Sequence, residues 1–148
     1  MVCASHTMAH DIEANKRVIQ AFAAAINARD WHSLDDLLAV DFVRHSNAAP
    51  GVRSRDDLVR YLRSEFDIFP DARETIKDIL AEEDRVAVRH AFRGTQTGAM
   101  GAFPPSRKVL KADYLAIYRV AGGKIVEAWV EWDNLSGLVQ LGHYRPES

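Results

Sequence analysis

The amino-acid sequence predicts a single α+β domain, and three observations carry that prediction. Apolar residues recur at helical spacing as far as Pro70, the period then changes to alternation, and the β-rich runs that follow come in pairs joined by short turns. Helices first and an antiparallel sheet afterwards is the order in which helices cover one face of that sheet. A chain of 148 residues suits one domain and can bury a continuous core around a modest cavity. The domain is expected over 11–142, with 1–10 and 143–148 as flexible tails.

From Asp11 to Arg29, the residues Ile12, Val18, Ile19, Phe22 and Ile26 form one stripe of a helix, and the alanines between them favour that conformation. Ser33 is placed to cap a second, shorter helix that buries Leu34, Leu37 and Leu38. It stops before DFVRHSNAAPG, where Asn47, Pro50 and Gly51 demand irregular backbone. A third helix starts from Ser54, with Asp57 as an approximate capping box, and runs through Leu58, Tyr61, Leu62 and Phe66 to the stop at Pro70. Two hairpins follow: ETIKDILA and RVAVRHAFRG joined by AEEDR, then KVLKADYLAIYRV and KIVEAWVEWD joined by AGG. The one long connection, GAMGAFPPSR, overhangs an end of the sheet.

Alternation assigns the faces, because successive side chains on a strand point to opposite sides. Val86, Val88, His90 and Phe92 share one face, as do Leu110, Ala112, Tyr114, Ala116 and Tyr118 on the next strand. In the last strand Val126, Ala128, Val130 and Trp132 oppose Glu127, Trp129, Glu131 and Asp133. Burying an unpaired carboxylate costs several kcal/mol, which sends Glu127 and Glu131 to the outer face. Asp133 ends the strand, where a turn can reverse its direction.

Composition excludes several functions. With 47% hydrophobic residues, 27% charged residues and a formal charge of -2, the chain has no basic footprint for nucleic acid. Cys3 is the only cysteine, which leaves no disulfide framework and points to a reducing, cytoplasmic setting. No apolar run approaches a membrane helix, and the opening residues do not read as a signal peptide. His6 and His10 read as frayed terminal residues, and no metal is expected because no histidine or carboxylate pair sits at ligand spacing on one face.

The element order, with FVRHSNAAPG after the second helix, GTQTGAMGAFPPSRK in the middle and GGKIVEAWVEWDNLSGLVQLG at the end, resembles the SnoaL-like polyketide cyclase family. That resemblance implies the cone-shaped nuclear transport factor 2-like fold, with N-terminal helices packed on a curved antiparallel sheet around a pocket. In the family's cyclases an aspartate on the last strand and a histidine on the preceding one drive an aldol ring closure. Aligned through GGKI and QLG, those positions are here Val130 and Ala116, neither of which can move a proton. Ala128 and Gln96 likewise stand where many relatives carry histidine, whereas Asp133 and His45 match common family positions.

His45, His90 and Asp133 are therefore the expected catalytic residues, each with a second reading: a ring capping local backbone, a core histidine satisfied by a tyrosine hydroxyl, and the cap of a short segment from Asn134. Tyr114, Tyr118 and Gln96 are expected to orient a substrate, with Met100, Phe103, Val130 and Trp132 as apolar walls; the bland alternative for the aromatics is plain core or rim packing. Arg44 and Arg53 are read as solvated beside Asp41 and Asp56, the alternative being contact with an anionic group. The expected function is cofactor-free acid/base chemistry, such as aldol cyclisation, isomerisation or dehydration, on an apolar oxygenated small molecule, with a lyase or isomerase as the enzyme class. The alternative is a ligand-binding or assembly domain that has lost the chemistry. A homodimer through the outer sheet face, carrying Leu115, Ile117 and Trp129, completes the expectation.

Overall fold

The computed structural model describes residues 10–147, and the segment carrying Cys3 and His6 lies outside the described residues. Among the described residues the elements run α1 (Ile12–Ala28), α2 (Trp31–Leu37), β1 (Leu38–His45), α3 (Arg55–Ile68), β2 (Arg73–Glu82), β3 (Arg85–Thr95), β4 (Val109–Ala121), β5 (Lys124–Glu131) and α4 (Asn134–Gln140). The strands form one open sheet in the order β1-β5-β4-β3-β2. Its hairpins are antiparallel, but β1 pairs with β5 in parallel, so the sheet is mixed where an antiparallel one was expected. No described helix is long and apolar enough to cross a membrane.

Local sequence explains each boundary. Asp11 caps α1 by accepting from the Ala14 amide at 2.9 Å, and Ile19, Phe22 and Ile26 are buried, while Ile12 in the first turn stays exposed. The cap of α2 is Asp30 rather than Ser33: the Asp30 carboxylate accepts from the Ser33 amide at 3.1 Å and from its hydroxyl at 2.6 Å. Leu38 leaves the helix and opens β1, so DFVRH is strand and not loop. A register shift between Leu38 and Val43 breaks the alternation there, and the inward residue Arg44 looks like a surface residue in the sequence. For α3 Ser54 is the cap as expected, its Oγ accepting from the Asp57 amide at 3.0 Å, while the Asp57 carboxylate reaches one residue past the cap to accept from the Arg53 amide at 3.0 Å.

Val86, Val88, His90 and Phe92 of β3 and Leu110, Tyr114, Ala116 and Tyr118 of β4 are all buried on the inner face. Gly122 and Gly123, at φ 59° and 75°, make the tight β4–β5 turn that only residues tolerant of the left-handed region allow. A second register shift, between Arg119 and Val120 on β4, places Ile125 inward and takes Val126 out of the expected inner set. The α3 helix lies against β1, α4 lies against β4, and the connection from Gln96 to Lys108 packs on the end of α3. There the Thr97 and Gly98 amides both donate to the Ile68 carbonyl at 3.1 Å, and a Cβ on Gly98 would stand 2.2 Å from the Asp67 carbonyl oxygen. These packings leave an enclosed space between the inner sheet face, α3 and α4.

Candidate active site

The enclosed space has two parts. The wider is an apolar cavity of about 300 Å³, walled by Ile68, Phe69, Phe92, Met100, Leu110 and Trp132 among others. Beyond it lies a narrow end of about 40 Å³, reached by Arg44, Glu74, Tyr114, Tyr118 and Val130. Tyr61, Glu65 and Trp132 form walls of both and stand at the junction.

Five elements deliver the ionisable groups of the narrow end. Tyr61 and Glu65 are one turn apart on α3, and the Tyr61 hydroxyl donates to Glu65 Oε1 at 2.9 Å. Glu74 comes from β2 and accepts from the Tyr114 hydroxyl of β4 at 2.5 Å. His90 of β3 shares a 2.9 Å hydrogen bond with the Tyr118 hydroxyl through Nε2, and its Nδ1 lies 4.0 Å from Glu74 Oε2. The Tyr114 ring is sandwiched, stacked on His90 at 4.5 Å and on Trp132 at 4.0 Å. Arg44 of β1 lies over the Tyr61 ring at 4.7 Å.

Burial tunes these groups apart. It pushes the Glu74 carboxyl from its ordinary 4.5 up to about 7; the nearby Glu65 charge adds to the rise, while the Tyr114 hydrogen bond and Arg44 oppose it. Burial also raises Glu65, and it lowers His90 to about 4, so the imidazole is neutral at pH 7. Tyr114 and Tyr118 are pushed up by burial and remain protonated donors. A carboxyl that titrates near neutrality, fixed by a phenol in the narrow end of an apolar cavity, is suited to giving and taking protons.

The structure does not bring the three expected catalytic residues together. His90 is in the interior, but its ring sits behind Tyr114 and Tyr118 as the tyrosine-satisfied core histidine of the second reading. Asp133 borders the wide cavity with its carboxylate accepting from the Ser136 amide at 2.9 Å, as the cap of α4. His45 is on the opposite face of the sheet, where it stacks on Trp129 at 5.3 Å and donates to Glu127 Oε2 at 2.7 Å. It points outward because Arg44, one residue earlier, points in. Gln96 is fully buried, yet it pins the Gln96–Lys108 connection by donating to the Gly98 and Pro104 carbonyls, each at 3.1 Å, while its Oε1 accepts from His143 Nε2 at 2.6 Å. Phe103 stacks on His143 at 4.8 Å outside the cavity wall. Met100, Tyr114, Tyr118, Val130 and Trp132 do face the enclosed space. Sequence reasoning missed Tyr61, Glu65 and Glu74, and it took Arg44 for a solvated residue although Arg44 is only 8% exposed.

An open mixed sheet with helices folded over its inner face around a small-molecule cavity defines the nuclear transport factor 2-like class. The chain belongs to the SnoaL-like polyketide cyclase family, whose model matches residues 16–141. It is similar to IdmH of Streptomyces antibioticus, described as a candidate polyketide cyclase, at 32% identity and a TM-score of 0.79, covering 90% of this chain and 99% of that one. AclR of Streptomyces galilaeus, described as a candidate hydroxylase, is 27% identical with a TM-score of 0.81, covering 93% of this chain and 91% of that one. A protein of ketosteroid isomerase-like fold from Catenulispora acidiphila, at 19% identity and a TM-score of 0.73, covering 87% of this chain and 97% of that one, shares the fold. No curated protein matches the chain significantly. Ala116 and Val130, aligned above with the family's proton-moving positions, face each other across β4 and β5 and are both buried.

Proposed function

We propose that this chain is a small-molecule enzyme in which Glu74 moves protons on an apolar, oxygenated substrate. The single observation that carries the reading is the Glu74 carboxyl, held by Tyr114 at 2.5 Å in the narrow end of the cavity and raised to about 7. The substrate's apolar body occupies the wide cavity and its carbonyl enters the narrow end. The Glu74 carboxylate takes a proton from the carbon beside that carbonyl, the electron pair moves to the carbonyl oxygen, and an enolate forms. Reprotonation at another carbon gives isomerisation, attack on a second carbonyl gives aldol closure, and expulsion of a β-hydroxyl gives dehydration. Tyr114 fixes the carboxyl, and the neutral His90–Tyr118 pair supports the Tyr114 ring from behind.

The test needs no knowledge of the natural substrate. With 2-acetylnaphthalene in D₂O, the protein should accelerate exchange of the methyl-ketone protons, Glu74→Gln should lose that acceleration by about a hundredfold or more, and His45→Ala should keep it. Equal exchange by Glu74→Gln would remove Glu74 from its role. Ala116 and Val130 favour a second reading, a binding domain without chemistry; a probe that binds but exchanges only at the solvent rate would select it. The outer face, with Leu115 and Ile117 at 60% and 42% exposure, supports the homodimer expectation. Sedimentation giving only the monomer mass at micromolar concentration would overturn it.

A further inference from the structure

We propose that Arg44 binds an anionic oxygen of the substrate, so that the substrate class is an apolar body ending in a carboxylate or in the enolate of a 1,3-dicarbonyl. This rests on reading the cavity as a substrate site and adds what that site selects. Arg44 is 8% exposed, reaches the narrow end from β1, and its Nη1 is buried with no hydrogen-bond partner. It forms no ion pair among the described residues. One oxygen of each carboxyl that shares its chamber is taken by a tyrosine: Glu65 Oε1 accepts from Tyr61 at 2.9 Å and Glu74 Oε1 from Tyr114 at 2.5 Å. Nη1 of the guanidinium is thereby left without an acceptor, and a buried guanidinium with an unused donor is costly to a fold. An oxyanion is the acceptor that fits it best, because a planar guanidinium offers paired N–H donors to a two-oxygen group. The space of about 40 Å³ admits a head group of a few atoms and excludes a ring, which must stay in the cavity of about 300 Å³.

The groups packed around this end set the sign of a pH effect. Arg44 shares the narrow end with Tyr61 and Glu65 from α3, Glu74 from β2, and Tyr114 and Tyr118 from β4, and His90 of β3 stands behind the last two and 4.0 Å from Glu74. As pH falls through about 7, Glu74 gains a proton and ceases to compete for Arg44, so an anion binds more tightly in mild acid.

Calorimetric titration with three probes of one body tests this: 2-naphthoate, 1-(2-naphthyl)butane-1,3-dione and neutral 2-acetylnaphthalene, against the wild type, Arg44→Met and Arg44→Lys. At pH 6, naphthoate should bind the wild type about tenfold or more tightly than the neutral ketone, and more tightly than it does at pH 8. Arg44→Met should erase that preference without lowering the thermal midpoint, and Arg44→Lys should retain part of it. A red-shifted absorption of the bound dione would identify the enolate as a source of the oxyanion, whereas naphthoate preference without that shift would restrict the class to carboxylates. Should Arg44→Met fail to fold, the wild-type ratio between naphthoate and ketone still decides. No preference for naphthoate, or a preference that survives in Arg44→Met, overturns the role of Arg44 while leaving the cavity reading intact. Failure of all three probes to bind overturns both.

Discussion

At the scale of single residues, Glu74 and His90 stand 4.0 Å apart and respond to the same burial in opposite senses. Glu74 rises from 4.5 to about 7, so between those values the folded chain holds a proton that the unfolded chain has released, and stability grows as pH falls through that window. His90 drops from 6.5 to about 4, so there the unfolded chain holds the extra proton, and stability is lost as pH falls through 6.5 toward 4. Each shift corresponds to roughly 3 to 4 kcal/mol at most. Glu74→Gln should therefore be more stable than the wild type at pH 8 and lose most of that advantage by pH 5. His90→Phe should behave in reverse, gaining on the wild type as the solution is acidified. Thermal melts of the three proteins across this range read both signs, and parallel curves would show that neither group is tuned as described.

At the scale of elements, α4 and Met100 of the Gln96–Lys108 connection border the cavity, and each of the two segments depends on one polar residue expected to have a chemical role. Asp133 caps α4, so Asp133→Ala should cost about 1 kcal/mol, while Asp133→Asn, which can still cap, should cost a few tenths and leave proton exchange in place. Urea unfolding and the exchange assay separate these outcomes; loss of exchange in a folded Asp133→Asn protein would return Asp133 to the chemistry. The hairpins β2–β3 and β4–β5 were legible because their strands alternate and their turns carry polar residues or paired glycines. The β1 strand was not, because it pairs in parallel at a sheet edge, contains a register shift, and turns an arginine inward. The site residues were hidden for a related reason. Glu65 continues the buried row of Leu58 and Leu62 on α3, and Glu74 shares its side of β2 with Ile76, but a lone acid in such a row reads as solvated until its tyrosine partner, distant in sequence for Glu74, is known. The aromatics Tyr114, Tyr118 and Trp132 were placed on the correct face by alternation alone.

At the scale of the whole molecule, the interior ionisable groups stand on elements other than those that the resemblance implies. The facing pair on β4 and β5 is apolar, and the carboxyls of the narrow end come from β2 and α3, where they share the lining with Arg44 of β1. This arrangement keeps the Glu74 carboxyl near neutrality by burial, beside an apolar cavity of about 300 Å³. The pH profile of proton exchange from bound 2-acetylnaphthalene tests that arrangement most directly. The base must be ionised to act, so the rate should rise with pH through a single inflection near 7 and level off above it, and Glu74→Gln should abolish both the rate and the inflection. A rate that is unchanged across this range, or an inflection that persists in Glu74→Gln, would contradict the account.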